Sequence, residues 1–313
     1  MERLDSGAPI PSHLRGAIVA LGNFDGFHAG HQAVVGRAVA RARAEGRPVI
    51  VATFDPHPVR LFVPNAAPFR LTTLDQRERL FAAAGADAML VFAFTRDLAA
   101  LSAEAFVAFL ADHIGAGGVV TGDDFTFGKG RSGNVAMLAS LGAARGMSAE
   151  AVSAVVDAGG ETISSSRIRD ALKAGDCATA TRLLTRPFAI EGIVEHGDAL
   201  GRTIGFPTAN LSLGNYLRPA YGIYAVQARL PGGRIVGGAA NLGIRPTFTP
   251  PKELFEPHFF DFSGDLYGQR IEVALVEYLR PEAKFDGLDA LVAQMDRDCA
   301  RARDILGKTP PLL

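Results

Sequence analysis

Cysteine is scarce in this chain of 313 residues, which contains only Cys177 and Cys299. The two cysteines stand far apart and form no Cys-x-x-Cys pair, so the sequence suggests neither a disulfide framework nor a zinc knuckle. Long apolar runs are also missing, and residues 1–5 contain no apolar signal core. We therefore expect no membrane-spanning segment and a cytoplasmic location.

The chain also has no excess of charge of either sign. It carries 32 Lys and Arg against 33 Asp and Glu, a formal net charge of -1, with a pI near 6.7. This balance argues against a surface for nucleic acid, and we expect neither a nucleic-acid nor a membrane partner. Small phosphorylated ligands need only local positive charge. The length favours two domains, and we find no internal repeat.

Short apolar runs alternate with helical stretches between Ile18 and Leu184. This alternation predicts an α/β domain with a parallel sheet and helices on its faces. The predicted strands cover residues 18–21, 49–54, 88–92 and 118–122, and the predicted helices include residues 74–84 and 103–114. Residues 1–16 are expected to form a loosely ordered lead-in.

Beyond Pro187 the chain changes to short β segments punctuated by glycine. A closing stretch from Leu288 to Leu306 has apolar residues at helical spacing. These patterns predict a small antiparallel β-barrel with a terminal helix packed on it. We place the domain boundary between residues 185 and 186, so the domains are residues 1–185 and 186–313.

The most informative segment is residues 22–31, Gly-Asn-Phe-Asp-Gly-Phe-His-Ala-Gly-His, which follows the first predicted strand of the sheet. Gly22 and Gly26, on either side of Asp25, let the backbone turn and approach a ligand, and the helix that follows favours anions at its N-terminus. His28 and His31 can donate hydrogen bonds to phosphoryl oxygens. The segment indicates nucleotide chemistry without a P-loop. The alternative is a glycine-rich turn with two structural histidines.

Two further loops follow predicted strands, where ligands bind in parallel sheets. Asp55 lies in Thr-Phe-Asp-Pro-His-Pro, where a direct ligand contact and a turn-shaping Asp55–His57 pair are equally compatible with the pattern. In residues 122–134, the carboxylate of Asp124 and the rings of Phe125 and Phe127 could hold a flat heterocycle together with its phosphate.

A serine run opens the last predicted helix of this domain. Ser164 and Ser165 supply an N-cap, and Arg167 and Arg169 are candidates for an anion contact. A capped surface helix is the alternative for this segment.

The second half has its own motif, Gly201-Arg-Thr-Ile-Gly205-Phe-Pro-Thr208-Ala-Asn210. The Thr208 hydroxyl and the Asn210 amide oxygen are hard ligands of the kind that Mg²⁺ prefers, and Mg²⁺ bridges phosphates in phosphoryl transfer. Taken alone, these residues are equally compatible with a turn that has side-chain to backbone hydrogen bonds.

In their order along the chain, these motifs resemble the prokaryotic bifunctional riboflavin kinase/FMN adenylyltransferases, also called FAD synthetases. In the second half, the resemblance also rests on Asn241-Leu-Gly-Ile-Arg-Pro-Thr-Phe, Glu256-Pro-His-Phe-Phe-Asp-Phe and Asp265-Leu-Tyr-Gly. It covers nearly the whole chain. It implies a nucleotidyltransferase domain with a Rossmann-like parallel sheet, followed by a riboflavin kinase-like barrel. It also implies that riboflavin is phosphorylated to FMN and that FMN is adenylylated to FAD, with ATP as co-substrate and Mg²⁺ as cofactor.

The resemblance assigns roles to the candidate residues. It implies that His28 and His31 stabilise the transferring phosphoryl group, and that Glu256 accepts the proton of the riboflavin hydroxyl. The implied ATP and phosphate contacts are Gly22, Asp25, Gly26, His28, His31, Ser164, Ser165, Arg167, Arg169, Gly205, Thr208 and Asn210. The implied flavin contacts are Asp55, Asp124, Phe125 and Phe127, and the implied metal ligands are Thr208 and Asn210.

Some positions depart from the family pattern. Pro257 follows the proposed base and predicts a strand edge or a bulge, and Thr185 stands where glycine is usual. One alternative is therefore a single-activity FMN adenylyltransferase with an inactive kinase barrel, and another is a non-catalytic flavin- or nucleotide-binding regulator. For the oligomeric state, we expect a monomer or a weak homo-oligomer.

Overall fold

The computed structural model of the chain describes residues 1–197, 201, 204–245 and 252–312. Two compact units account for these residues. The N-terminal unit is Met1–Ala67 with Thr73–Ser164, and the C-terminal unit is Pro68–Thr72 with Ser165–Leu313. None of the helices in the described ranges combines the length and the apolar character that a membrane crossing requires.

The N-terminal unit is built on a sheet of six parallel strands in the order β1-β4-β3-β2-β5-β6. The strands are β1 Glu2–Asp5, β2 Ile18–Leu21, β3 Val49–Asp55, β4 Ala88–Ala93, β5 Gly118–Gly122 and β6 Ser148–Val152. The central strands are rich in apolar residues because helices cover both of their faces. The parallel α/β prediction is confirmed.

Six helices accompany this sheet among the described residues. They are α1 Ala29–Glu45, α2 Pro58–Phe62, α3 Leu74–Ala83, α4 Arg96–Ala100, α5 Ala103–Ala108 and α6 Val135–Ala143. α3 begins with a reciprocal capping box between Thr73 and Gln76. α5 continues through Phe109–His113 as a wider turn, which completes the helix predicted over residues 103–114.

The prediction of a loosely ordered lead-in over residues 1–16 is wrong. Glu2–Asp5 forms the edge strand β1, in parallel register with β4 from Glu2↔Ala88 to Asp5↔Val91. Ile10 and Leu14 are buried in the core. The segment escaped prediction because an edge strand next to solvent needs few apolar side chains, and β1 has Leu4 alone.

The C-terminal unit contains a closed barrel with strand order β10-β11-β8-β7-β12-β9. The strands are β7 Phe188–Glu195, β8 Asn210–Leu211, β9 Gly222–Arg229, β10 Ile235–Arg245, β11 Lys252–Phe259 and β12 Arg270–Arg280. All of the pairings between neighbouring strands are antiparallel. The barrel prediction is confirmed, with Pro231–Gly233 as the turn between β9 and β10.

Helices flank the barrel at both ends of its sequence. They are α7 Ser165–Lys173, α8 Cys177–Leu184 and the terminal helix α9 Leu288–Leu306. α9 packs on the outside of the barrel, where Ala302 joins Ala225 and Ala239 in an apolar cluster. The Arg280 guanidinium fixes the helix to β12 through Asp298, with a closest N–O distance of 2.6 Å.

The backbone conformation of Thr185 shows why glycine is usual at this position in the family. Thr185 forms the C-cap of α8 with a φ of 64°, the left-handed region that favours glycine. The predicted boundary between residues 185 and 186 falls directly after this cap and stays a prediction.

Candidate active sites

Three motif loops of the N-terminal unit meet at one edge of its sheet. The loops follow β3, β2 and β5, which are neighbours in the sheet and run parallel. Because the carboxyl ends of parallel strands lie at the same edge, the segments that begin at Gly22, Asp55 and Asp123 share that edge. The motifs thus follow the carboxyl ends of parallel strands as expected, and their role as a site stays a prediction.

His28 forms the N-cap of α1. Its Nδ1 accepts a hydrogen bond from the backbone N–H of His31, at 3.3 Å. An imidazole whose Nδ1 accepts carries its proton on Nε2 when it is neutral. The cap therefore fixes the tautomer, so that His28 presents an N–H donor on its other nitrogen, at the end of a helix whose dipole favours anions.

The two histidine rings lie against each other. The ring centroids of His28 and His31 are 3.6 Å apart, with an interplanar angle of 20°. The glycine of the His-Ala-Gly-His run makes this possible, because a Cβ on Gly30 would lie 3.2 Å from the His28 ring. The stacking therefore places both imidazoles together at the start of α1.

The loop that precedes His28 is held in an unusual backbone conformation. Phe24 and Phe27 have φ values of 50° and 45°, rare for side chains of this size. Both rings are buried and pack edge-on against Phe81 of α3, at centroid distances of 5.8 and 5.1 Å. Aromatic packing thus stabilises a strained turn beside the histidines.

A buried arginine, which the sequence did not single out, lies beneath the same loop. Arg77 of α3 is 0% exposed, and its Nη2 lies 3.4 Å from Oδ1 of Asp25, which is 2% exposed. Its Nη1 donates to Thr53 Oγ1 at 3.0 Å and to the carbonyl of Asn23 at 3.3 Å. Asp25, predicted as a phosphate-site residue, is therefore the acidic partner of a buried cation. No local motif around Arg77 gave a signal for this role.

The loop after β3 is shaped by an N-capping histidine, and the predicted Asp55–His57 pair stays a prediction. His57 is the N-cap of α2, and its Nδ1 accepts from the backbone N–H of Val59 at 3.3 Å. The carbonyl of Asp55 accepts from Phe94 N at 3.2 Å, which ties this loop to the end of β4. A flavin contact by Asp55 stays a prediction.

The loop after β5 presents one aromatic ring and buries another. Phe127 is in the core against Phe106, at a centroid distance of 5.4 Å, while Phe125 is half-buried and stacks on Phe127 at 5.8 Å. Asp124 is exposed. Of the predicted flavin-contacting residues in this loop, Phe125 and Asp124 are thus the accessible ones.

The serine and arginine candidates divide between the two units. Ser164 is the last residue of the N-terminal unit, while Ser165, Arg167 and Arg169 lie on α7 of the C-terminal unit. The Nε of Arg169 donates to the carbonyl of Phe69 at 2.9 Å, and its guanidinium lies 5.3 Å from the centre of that ring.

The barrel candidates form a row across its strands. The register sets Glu195 opposite Asn210, and Asn241 opposite Glu256. Phe255 is opposite Leu211, so the next antiparallel pair is Glu256 with Asn210. Directly opposite residues share a face of the sheet. One polar row therefore runs over four strands, and we call it the outer row: Glu195, Asn210, Glu256 and Asn241.

The neighbouring row shows which face this is. Val194, Leu211, Phe255 and Leu242 are opposite one another in the same register and are at most 3% exposed. They fill the barrel, so the outer row faces outward. Glu256, predicted as the catalytic base, and Asn210, predicted as a metal ligand, are thus brought together on the outside of the barrel.

Thr208 joins this face. Ala209 donates to the carbonyl of Pro257 at 2.9 Å, which continues the β8–β11 pairing, and residues two apart in an extended chain point the same way. Close approach requires glycine here, because a Cβ on Gly201 would contact Phe206 O at 2.3 Å and lie 3.6 Å from Thr208 Oγ1. Gly205, predicted in the phosphate contacts, has a φ of 86°. Arg202 and Thr203 of this motif lie outside the described residues.

These oxygen donors fit Mg²⁺ rather than a softer metal. Thr208 and Asn210 offer a hydroxyl and an amide oxygen, with the Glu256 carboxylate in the same row. Within the described ranges, no group of three or more His, Cys, Asp or Glu side chains could hold a metal alone. A cation at this face therefore needs further oxygen ligands from a nucleotide or from water.

Pro257 leaves the pairing around Glu256 intact. Its carbonyl accepts from Ala209, so this residue's backbone polar groups face β8 and not β10. The missing N–H therefore removes no β10–β11 hydrogen bond, and Glu256 keeps its register with Asn241. The strand edge or bulge predicted at Pro257 stays a prediction.

Arg218 supports the start of β11. Its guanidinium contacts both oxygens of Glu253 at 2.8 Å from Nε, and Tyr221 donates to the same carboxylate at 2.9 Å. The Arg218 hydrogen bond lowers the pKa of Glu253. Burial, followed by the bond to Glu253, raises the pKa of Tyr221 to about 12. Residues 246–251, which include motif positions Pro246 to Phe248, lie outside the described residues.

Two family models match the chain. The model for FAD synthetase matches residues 10–167, and the model for riboflavin kinase matches residues 184–306. The first covers the parallel-sheet motifs and the second covers the barrel.

Relatives from several bacteria match nearly the whole chain. The bifunctional riboflavin kinase/FMN adenylyltransferase of Escherichia coli (strain K12) is 41% identical over 95% of both chains. The enzyme of the same name from Bacillus subtilis (strain 168) is 37% identical over 90% of both. The crystal structure of a protein named as a macrolide-efflux protein from Streptococcus pneumoniae gives a TM-score of 0.85 at 32% identity, covering 95% of this chain and 97% of that one.

The structural match supports the fold of the chain. The sequence relatives and the family models agree on flavin chemistry for both halves. Their order along the sequence is the order of the two units described above. The chain belongs to the bifunctional riboflavin kinase/FMN adenylyltransferase family.

Proposed function

We propose that this protein phosphorylates riboflavin to FMN on its barrel unit and adenylylates FMN to FAD on its parallel-sheet unit. The observation that supports the proposal is that one chain carries two different groups of side chains suited to phosphate transfer. One is an imidazole pair at a helix N-terminus, and the other is a carboxylate in an oxygen-rich row.

In the adenylyl transfer, an oxygen of the FMN phosphate attacks the α-phosphorus of ATP and pyrophosphate leaves. No proton has to leave the ionised phosphate, so the protein's task is positioning and charge stabilisation. His28 donates from Nε2 to the phosphoryl oxygens, and His31 stacks behind it. Asp25 with Arg77 fixes the turn between Gly22 and Gly26.

The other contacts of this step follow the predicted assignments. Arg167 and Arg169, with Ser164 and Ser165 at the start of α7, contact the ATP phosphates. Asp55, Asp124 and Phe125 contact the flavin, and Phe127 supports Phe125 from the core.

In the kinase step, the riboflavin 5′-hydroxyl oxygen attacks the γ-phosphorus of ATP and ADP leaves. Glu256 accepts the hydroxyl proton, which requires its carboxylate within hydrogen-bond reach of that hydroxyl. Thr208 and Asn210 hold Mg²⁺, whose contribution is to neutralise charge on the ATP phosphates. Gly205 lets the preceding turn approach them. The intact pairing at Pro257 favours this function over an inactive barrel.

The test is to incubate the purified protein with riboflavin, ATP and Mg²⁺ and to separate FMN and FAD by chromatography. We expect FMN first and FAD later. Glu256→Gln should make FAD only from supplied FMN, whereas Glu277→Gln, a surface carboxylate paired with Arg301, should behave as wild type. Conversion of FMN without use of riboflavin would leave a single-activity adenylyltransferase. No turnover in either step would leave a binding protein.

Cellular location and assembly belong to the same proposal. We expect the protein in the cytoplasm, which fractionation of cells tests, and as a monomer or weak homo-oligomer, which sedimentation velocity tests. Mg²⁺ dependence is tested by chelation followed by add-back of Mg²⁺, Mn²⁺ or Ca²⁺, with both steps assayed separately.

A further inference from the structure

Asn241 is notable for its position in the barrel register and for the burial of its side-chain oxygen. It is directly opposite Glu256 in the β10–β11 register. Its Oδ1 is buried and has no hydrogen-bond partner among the residues that the structure describes. A buried carboxamide oxygen without a partner lowers stability, so a residue of this kind at a candidate site calls for a donor that the described chain does not supply.

The surroundings of Asn241 explain why its oxygen is buried on an outward face. On its other side, Asn241 is opposite Ile223 of β9. Ile223 packs against the apolar cluster of Ala225, Ala239 and Ala302, where α9 covers the barrel. Asn241 therefore lies at the boundary between this apolar patch and the polar outer row. A ligand bound along the row would meet this oxygen next to Glu256.

We propose that Asn241 Oδ1 accepts a hydrogen bond from a ribityl hydroxyl of riboflavin and thereby positions the 5′-hydroxyl on Glu256. The inference rests on the proposed kinase function. An acceptor oxygen does not suit the ionised phosphates of ATP, which are acceptors themselves, but it suits the hydroxyl-rich ribityl chain. Opposite residues on antiparallel strands have Cβ atoms about 4.5 to 5.5 Å apart, a distance that neighbouring hydroxyls of one polyol can span.

The main variant is Asn241→Leu, which keeps the branching at Cγ and removes the oxygen together with the amide nitrogen. We expect kcat/KM for riboflavin phosphorylation to fall about 10- to 100-fold, as for the loss of a buried hydrogen bond. The rate of FMN adenylylation by the Asn241→Leu protein should equal that of wild type, and this equality serves as the control for folding. The thermal midpoint of the kinase activity should stay or rise, since an unsatisfied oxygen has been removed.

Gln227 offers a matched control. It lies on β9 on the same outward face, its Oε1 is also buried without a partner among the described residues, and its Nε2 donates to Pro310 O at 3.1 Å. Gln227 is outside the outer row. Gln227→Leu should lower the thermal midpoint and leave the kinase kcat/KM unchanged.

Riboflavin analogues decide between a substrate contact and a structural role. Wild type and Asn241→Leu are compared on 2′-, 3′- and 4′-deoxyriboflavin, all of which keep the reacting hydroxyl. For one analogue the two proteins should have equal kcat/KM, because loss of the hydroxyl and loss of its acceptor remove the same hydrogen bond. Asn241→Ala, a second route to the same loss, should single out the same analogue.

The proposal is overturned by wild-type kinase kcat/KM in Asn241→Leu, or by the same loss on all three analogues. Failure of the proposed function is a different result, namely absence of riboflavin phosphorylation by the wild-type protein.

Discussion

The two units bring phosphate-binding groups together in different ways. In the parallel sheet, the groups follow individual strands, and chain direction alone places them at one edge. In the barrel, Thr208, Asn210, Glu256 and Asn241 come from three strands and their flanking turn, and only the antiparallel register places them on one face. In the parallel sheet, strand order therefore determines which residues come together, whereas in the barrel the register between antiparallel strands determines it.

The means of support differ as well. Under the histidine loop, Arg77 and Asp25 form a nearly inaccessible ion pair, and two strained phenylalanines pack on Phe81. Along the outer row, support comes from the backbone ladder of β10 and β11 and from the more accessible Arg218–Glu253 pair. We expect single side-chain changes to disturb the first site more than the second.

Arg77→Met should have the largest effect. It leaves the Asp25 carboxylate buried without its cation, a change that costs about 3–5 kcal/mol. Samples are heated in steps and then assayed for both activities, since riboflavin phosphorylation uses residues of the C-terminal unit alone. FMN adenylylation should be lost at a much lower temperature than in wild type, and riboflavin phosphorylation at an unchanged one. Arg280→Met, which breaks the barrel's pair with Asp298, should lower the temperature at which riboflavin phosphorylation is lost. Joint loss of both activities in Arg77→Met would contradict the separate support of the two sites.

His28→Asn separates the two roles of His28. Asparagine keeps a good N-cap for α1 but lacks the Nε2 donor, so FMN adenylylation should fall about 100- to 1,000-fold with little change in thermal midpoint. His28→Ala removes the cap too and should cost about 1 kcal/mol of stability in addition. Riboflavin phosphorylation serves as the internal control. Full adenylylation by His28→Asn would mean that His28 acts only as a cap.

Thr185→Gly should stabilise the C-terminal unit by about 1 kcal/mol, because glycine adopts a φ of 64° without the clash that a Cβ causes. The thermal midpoint of riboflavin phosphorylation should rise. Thr185→Ala, which keeps a Cβ, should not reproduce the gain. An equal gain in both variants would show that the threonine side chain, and not its backbone, is unfavourable.

Glu253→Gln should have the smallest effect and a defined pH dependence. Arg218 lowers the Glu253 pKa from its ordinary value of 4.5, so the interaction stabilises the fold above that pH and is lost as pH falls through the lowered pKa. At pH 7 the variant should be less stable by under about 1 kcal/mol, since the pair is partly exposed. Urea unfolding at pH 7 and in strong acid measures the difference, which should disappear in acid. A difference that persists there would assign it to packing.

The elements with the clearest patterns could be predicted from the sequence. β2, β3, β4 and β5 are buried on both faces and read as continuous apolar runs, and glycines and histidines mark the turn after β2. Local chemistry is sufficient there because the motif and its geometry occupy the same ten residues.

Features that depend on long-range contacts could not be predicted. Arg77 is 52 residues from Asp25, and an arginine on an amphipathic helix reads as a solvent-facing charge. Asn241 gains its importance from its opposition to Glu256, and register between strands is invisible until both strands and their turns are in place. The strand Glu2–Asp5 was missed because its partner β4 lies far along the chain.

That last pairing has a consequence for biosynthesis. β1 is synthesised before β2 and β3 but finds its neighbour after them, because Glu2 pairs with Ala88 while β2 and β3 can already pair with each other. At translation rates of about 5–20 residues per second, Glu2–Asp5 waits roughly 4 to 17 s for β4 to be synthesised. During that interval the nascent sheet has an open edge at β3, which gives a chaperone a defined strand to shield.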